Sequence, residues 1–394
     1  MNSRTHIILS SGKDQSLKRF HPWVFSGAIK KIKGPVQDGD IVDVYSNKEE
    51  FLGTGHYQDG SIAVRVFTFT QTELDVNFWK SKIRKAWEYR TNAGITTNPN
   101  TNVYRLIFAE GDGLPGLIVD FYNGVAVLQA HSVGMHRNRN EIAAALKEVM
   151  GDKLIAVYDK SKEALFRNEG GDSTNGFILG NAGESGIVLE NGHQFKVDWV
   201  NGQKTGFFVD QRENRKLLAH YSKGKNVLNT FCYTGGFSVY AGKAGANLVH
   251  SVDSSKKAIA LTDENMNLNG LTNHESFAMD TFDYLDGKEN MYDVIVLDPP
   301  AFAKSVSARH HAVMGYKRLN AEAMRKIKPG GFLFTFSCSQ VVDRRLFQDT
   351  IVAASIQAGR NVRLVHHLTQ PSCHPVSMFH PEGEYLKGLV VYVE

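Results

Sequence analysis

The sequence predicts an α/β protein: a doubly wound, mostly parallel sheet in the last half, preceded by a small β region and a central α+β segment. Three patterns carry this. Beyond residue 226, short apolar runs alternate with helical stretches, the sign of a parallel sheet covered on both faces. Before residue 70, alternating runs are broken by glycine, as in a small barrel or sandwich. Between them, strands, a helix and a further strand follow in turn.

Composition bounds the rest. The 394 residues suit two or three domains, and 42% hydrophobic content with 36 Gly but only 10 Pro argues for a folded chain. A net charge of +4 permits an anionic partner without demanding one. Cys232, Cys338 and Cys373 are odd in number and far apart, so a reducing compartment, the cytoplasm, is expected rather than a disulfide framework. No secretory leader is visible at Met1–Arg4, and no apolar run of about 18 residues predicts a membrane span. No metal is expected. Cys373 and His374 are neighbours in sequence, which rarely face one site, and no other ligand spacing occurs.

In the first third, 41–45, 51–55 and 62–67 read as strands. Lys13, Lys18, Arg19, Lys30, Lys31 and Lys33 gather around Phe20, Trp23 and Phe25, a composition that suits phosphates and stacked bases but equally a solvated face over core aromatics. Residues 73–90 carry Trp79, Ile83, Ala86 and Trp87 at helical spacing. Runs at 103–108, 117–121 and 125–128 read as strands, 138–150 as a helix and 154–158 as a strand. Glu110 and Asp112 fall in a glycine-rich stretch, which reads as a turn before it reads as a carboxylate pair.

Asn191-Gly192 between apolar runs predicts a hairpin over 187–197. After it, strands are predicted at 227–231, 248–252, 276–279, 294–297, 332–336, 362–367 and 386–393. Helices are predicted at 237–243, 254–268, 312–328 and 344–358, the third stopped by Pro329-Gly330-Gly331. Ligands of such sheets bind at the carboxyl ends of the strands. The stretch Asn229, Phe231, Tyr233, Thr234, Gly235, Gly236 is a glycine-bearing strand-to-helix turn, but not the G-x-G-x-x-G phosphate fingerprint. Asp253, followed by Ser254, stands where a carboxylate takes a ribose diol; Asp280, followed by Thr281, stands where one accepts from an exocyclic amine. Either Asp alone could be a helix cap. In series they imply a nucleoside without obligatory phosphates, which favours S-adenosylmethionine over NAD. The next strands end in Asp298-Pro299-Pro300 and in Ser337-Cys338-Ser339, an acid and a thiol at one sheet edge.

These residues resemble the ribosomal RNA large-subunit cytosine-5 methyltransferases that carry an N-terminal PUA domain. The likeness rests on Lys204-Thr205-Gly206-Phe207-Phe208-Val209-Asp210-Gln211-Arg212, Tyr233-Thr234-Gly235-Gly236-Phe237, Asp298-Pro299-Pro300-Ala301-Phe302 and Phe336-Ser337-Cys338-Ser339, and extends over nearly the whole chain. It implies a PUA-like RNA-binding domain at 1–72 and a central domain at 73–186. A Rossmann-like class I methyltransferase domain would follow at 187–394. It implies that 204–212, with Phe208, Asp210 and Arg212, lines the S-adenosylmethionine pocket alongside the turn and Asp298. Cys338 would attack carbon 6 of the pyrimidine. Asp298 would hold the base edge and protonate nitrogen 3, and Pro299, Pro300 and Phe302 would shape the slot for the base. Lys18, Arg19, Lys30 and Lys31 would contact RNA. Ala301 stands where two-cysteine enzymes carry a second thiol, so Cys338 must both attack and leave. Large-subunit ribosomal RNA is the expected partner, with no membrane; monomer against homodimer stays open.

Overall fold

The computed structural model describes residues 4–165, 174–303 and 305–394. They form two compact units: Met1–Val188 with Val197–Phe207 and Ser372–Gly383, and Leu189–Lys196 with Phe208–Pro371 and Glu384–Glu394.

In the first unit, β1 (Thr5–Leu9), β2 (Trp23–Phe25), β3 (Ile29–Lys33), β4 (Ile41–Tyr45), β5 (Phe51–Tyr57) and β6 (Ile62–Thr68) make a six-stranded sheet in the order β2-β6-β5-β4-β1-β3. Alternate residues of these strands, Ile7 and Leu9, Val42 and Val44, Val64 and Val66, fill one core, as period-two patterning requires. A short helix, α1 (Gln15–Lys18), precedes β2. Helix α2 (Val76–Asn92) is capped by Asp75, which accepts the Phe78 N–H at 3.0 Å, and buries Trp79, Ile83 and Ala86 as their spacing predicts. A five-stranded sheet follows, built from β7 (Val103–Phe108), β8 (Leu117–Tyr122), β9 (Val125–Ala130), β10 (Ala156–Asp159) and β11 (Gly176–Leu179). The helical stretch before β10 is two helices, α3 (Val133–Arg137) and α4 (Arg139–Met150). Glu110 and Asp112 do lie in a turn. Asp112 pairs with the buried Arg90, and Glu110 accepts the Trp23 indole N–H at 2.9 Å, so both carboxylates are structural.

A hairpin, β12 (Ser185–Glu190) and β13 (His193–Asp198), turns at Asn191 and Gly192, both with positive φ. The second unit then lays down β14 (Asn226–Thr230), β15 (Leu248–Asp253), β16 (His274–Ala278), β17 (Tyr292–Leu297), β18 (Ile327–Ser337), β19 (Val362–Leu368) and β20 (Lys387–Val393) in the order β16-β15-β14-β17-β18-β20-β19. The first five are parallel; β20 is antiparallel to both neighbours. Its helices are α5 (Arg212–Ser222), α6 (Gly236–Lys243), α7 (Lys256–Leu268), α8 (Thr281–Leu285), α9 (Arg309–Lys326) and α10 (Arg344–Ala358).

Pro329-Gly330-Gly331 does not stop a helix. Helix α9 already ends at Lys326, and the three residues lie inside β18, where the pairing with β17 shifts register between Tyr292 and Val294. Proline is tolerated at such an irregularity because its missing N–H interrupts no regular ladder bond. Helix α5 was not foreseen from its sequence. Its buried face includes Arg212, Asn214 and Arg215, so the apolar periodicity that marks a helix is mostly absent.

Register sets the site. Thr230 pairs with Val252 on one side and Leu297 on the other, and Leu297 with Thr335. Phe231, Asp253, Asp298 and Phe336 follow these residues, so four successive strands present their carboxyl ends along one edge of the second unit.

Candidate active site

One half of that edge is built for recognition. The turn after β14 holds three residues in the left-handed region, Phe231 (φ 54), Tyr233 (φ 47) and Gly235 (φ 72). A Cβ on Gly235 would stand 2.6 Å from Thr262 Cγ2, so only glycine lets the turn lie against α7. Thr262 Oγ1 donates to the Tyr233 carbonyl (2.9 Å) and Asn265 Nδ2 to the Thr234 carbonyl (2.8 Å). Asp253 accepts the Tyr233 N–H (3.1 Å) on one oxygen and the Ser255 N–H (2.9 Å) on the other. Each oxygen keeps a lone pair for a ligand hydroxyl. Asp280 caps α8 through the Phe282 N–H (2.7 Å) and is exposed; Ser254 is exposed and Thr281 buried. Phe208 sets its ring edge-on to Tyr233, and Arg212 is buried beside Glu213.

Two acceptors here, Asp210 Oδ1 and Asn229 Oδ1, are buried with no hydrogen-bond partner among the described residues. Buried polar atoms are normally satisfied. Carboxylates and unfilled acceptors around an open glycine turn suit a cationic nucleoside, and S-adenosylmethionine carries a sulfonium, an α-ammonium and a ribose diol. The residues present therefore fit that cofactor.

The other half is built for reaction. Asp298 follows β17, and its Oδ2 accepts from Gln211 Nε2 at 3.1 Å. Asn214 Nδ2 donates to Gln211 Oε1 (2.6 Å), which fixes the amide with its donor toward Asp298. Asp210 Oδ2 accepts from the Tyr385 hydroxyl (2.5 Å). Burial, and then the neighbouring Asp210 charge, push the Asp298 carboxyl up to about 7, where an acid can hold a proton at neutrality. Cys338 lies just past β18. Burial first, then Asp298 and Asp210, push its thiol up to about 11, while Lys387 opposes the shift. Phe302 packs on Tyr316 at 4.6 Å, and a Cβ on Gly315 would sit 3.0 Å from the Phe302 ring, so the glycine makes room for it. Pro299 is buried and Pro300 exposed at the same corner.

The structure thus gathers Phe208, Asp210, Arg212, Asn229, the 231–236 turn, Asp253, Asp280, Asp298, Phe302 and Cys338 in one unit. The RNA candidates lie in the other. Arg19, Lys30 and Lys31 are exposed there, whereas Lys18 is held by Asp14 (2.7 Å) and Glu50 (3.3 Å). Sequence reasoning did not single out Gln211, Arg215, Tyr316, Tyr385 or Lys387. Arg215 forms a buried two-point pair with Glu190 (2.9 and 2.8 Å) and donates to the Phe208 carbonyl (3.0 Å), anchoring the segment before α5. Lys387 had a visible signal, a lone charge in the otherwise apolar run 386–393. In the first unit, His21, His380 and Glu382 place ligand-type atoms within 4.8 Å of one another. His21 Nδ1 accepts the Trp23 backbone N–H (3.3 Å), which puts the ring hydrogen on Nε2, 3.4 Å from Glu382. That tautomer serves a hydrogen bond rather than a metal.

Residues 7–69 match a PUA-like domain family, and residues 110–381 match a family of S-adenosylmethionine-dependent methyltransferases. The chain is 41% identical to Ribosomal RNA large subunit methyltransferase I of Aeromonas hydrophila, over 98% of each chain. It is 40% identical to the protein of the same name from Pseudoalteromonas atlantica, over the whole of both. Among solved structures, a Streptococcus mutans chain assigned to the S-adenosylmethionine-dependent methyltransferases aligns with a TM-score of 0.84 at 26% identity, over 98% of this chain and 99% of that one. A structure complexed with SAH aligns at 0.85 with the same identity and coverage.

Proposed function

Because this chain belongs to the S-adenosylmethionine-dependent methyltransferase family, we propose that it methylates carbon 5 of a cytosine in large-subunit ribosomal RNA. The chain is a methyltransferase and its cofactor is S-adenosylmethionine. The relatives' name supports the RNA substrate. One observation supports the carbon 5 chemistry: a thiol and a carboxyl raised to about 7 stand at adjacent strand ends. Transfer to an exocyclic amine needs no thiol.

Carbon 5 of cytosine is a poor nucleophile. Cys338 gives its proton to solvent, and its sulfur bonds to carbon 6. The displaced π electrons move into the ring as Asp298 gives its proton to nitrogen 3. Carbon 5 is then enamine-like and takes a methyl group, which S-adenosylmethionine supplies on a sulfonium. A base removes the remaining carbon 5 proton, the C5–C6 double bond reforms, and Cys338 leaves as the thiolate. Nitrogen 3 returns its proton to Asp298. Phe302 and the Pro299-Pro300 corner bound the slot that receives the unstacked base, whose extrusion costs a few kcal/mol.

In this reading residues 1–72 bind RNA, 73–186 form the central domain and 187–394 the catalytic one, and the enzyme works in the cytoplasm. Arg19, Lys30 and Lys31 supply exposed cations, and Phe20 and Phe25 are exposed aromatics on the same small domain. Two experiments test the chemistry. Cys338→Ala should lower methyl transfer at least about a thousandfold, as expected when a covalent nucleophile is lost. RNA containing 5-fluorocytidine should form a Cys338-dependent adduct. A fully active Cys338→Ala refutes the covalent route; an adduct with 5-fluorouridine alone moves the substrate to uracil.

A further inference from the structure

We propose that Lys387 is a positioning residue for the Cys338 sulfur, the fixed cation that holds it as a thiolate for attack. The inference rests on the reading of Cys338 as nucleophile. Lys387 brackets Cys338 from the neighbouring strand. It pairs with Ser337 in the β18–β20 ladder, and its Nζ donates to the Ser339 carbonyl at 3.0 Å. A second N–H goes to the Tyr385 carbonyl at 2.6 Å. Both partners are pure acceptors, so the nitrogen serves them as a donor. An ammonium has three N–H groups. The third has no acceptor among the described residues, and no carboxylate lies within ion-pair distance of this nitrogen. Lys387 is only 5% exposed. A buried ammonium without a counter-ion is costly, and such a group normally finds one. Among the described residues, the group beside it that gains a negative charge in the reaction is the thiol it brackets.

Among the described residues, the charges around the sulfur leave the task to Lys387. Asp298 and Asp210 face Cys338 from β17 and from the segment before α5, and both oppose a thiolate. Tyr316 faces it from α9 as a neutral phenol, pushed up to about 12 by burial. Around Lys387 itself, Arg344 is answered by Glu384, and Asp343 caps α10. Burial lowers the Lys387 pKa from its usual value, while a negative Cys338 sulfur, then Glu384 and Asp343, raise it against Arg344, so among the described residues this ammonium and the thiolate favour one another. Tyr385, two residues before β20, donates to Asp210, so the entry to this strand touches both the acid pair and the thiol loop.

The test reads the sulfur directly and needs no RNA. The full-length protein is alkylated with iodoacetamide from pH 6 to 11, and modification of Cys338 is followed by peptide mass; Cys232 and Cys373 are buried and serve as internal references. Lys387→Gln keeps a donor for the Ser339 carbonyl but removes the charge; Lys387→Met removes both. S-adenosylmethionine binding by calorimetry verifies the fold of each. Both variants should shift the Cys338 profile upward by about one pH unit, roughly a tenfold slower alkylation at pH 8. A Lys387→Gln profile within about 0.2 unit of wild type, in a variant that binds the cofactor, overturns the proposal and leaves Lys387 a strap. If one variant fails to bind the cofactor, the other decides. A shifted profile alongside a fully active Cys338→Ala refutes the nucleophile instead, and with it the purpose given to Lys387.

Discussion

The two halves of the sheet edge contrast in how their acids are satisfied. Asp253, at the end of β15, accepts two backbone N–H groups. Asp298, at the end of β17, accepts one side-chain N–H and faces a second carboxylate. The first arrangement fixes a charged acceptor in place, as recognition of a diol requires. The second leaves a carboxyl able to gain and lose a proton near neutrality, as acid catalysis requires. The same residue type thus does two jobs, separated by what its neighbours donate.

The sharpest way to break this contrast is to exchange its consequences. Asp253→Ala should weaken S-adenosylmethionine binding by about 1.5–3 kcal/mol, roughly ten- to a hundredfold, because hydrogen bonds to a charged acceptor are lost. Calorimetry reads the loss. The Cys338 alkylation profile should stay as in wild type. If cofactor affinity is unchanged, Asp253 is a turn brace and the recognition half has been misassigned.

A smaller effect tests why the recognition turn is rigid. Gly235→Ala puts a methyl 2.6 Å from Thr262 Cγ2 at a φ of 72. Strain of this kind costs about 1–3 kcal/mol, measurable as a lower denaturation midpoint. Unchanged stability would mean that α7 can yield, and that the close approach is not what the glycine is for.

How far the sequence revealed this follows from the kind of signal each part carries. The doubly wound sheet was legible because buried parallel strands are continuous apolar runs, as at 294–297. The acids and the thiol were legible because strand ends are where such sheets bind ligands. The Asn191-Gly192 turn was legible from two residues. What stayed hidden is long-range. Lys387 reaches Ser339 only through an antiparallel return strand, and Glu190 meets Arg215 only once the hairpin folds back on α5. Helix α5 was hidden for the related reason that its inward face is polar and serves the site. Local pattern reports on burial, whereas these residues are placed by pairing between distant segments.

The reaction half should also reveal itself in stability, with a sign opposite to that of an ordinary surface acid. A carboxyl at about 7 in the folded state and near 3.9 in the unfolded chain binds more protons when folded across that interval. Folding therefore loses stability as pH rises from about 4 to 7. The full penalty is present above 7, where both states are ionised, and absent below 4, where both are protonated. Asp298→Asn removes the titration, while the asparagine carbonyl can still accept from Gln211. The variant should be more stable than wild type at pH 8.5 by about 1–2 kcal/mol, below the roughly 4 that three units convert to, since solvent reaches part of the side chain. At pH 4 the two should coincide. Urea denaturation at both values checks it. A gap that is the same at both would show that Asp298 is not held protonated by its site, and the contrast with Asp253 would reduce to geometry.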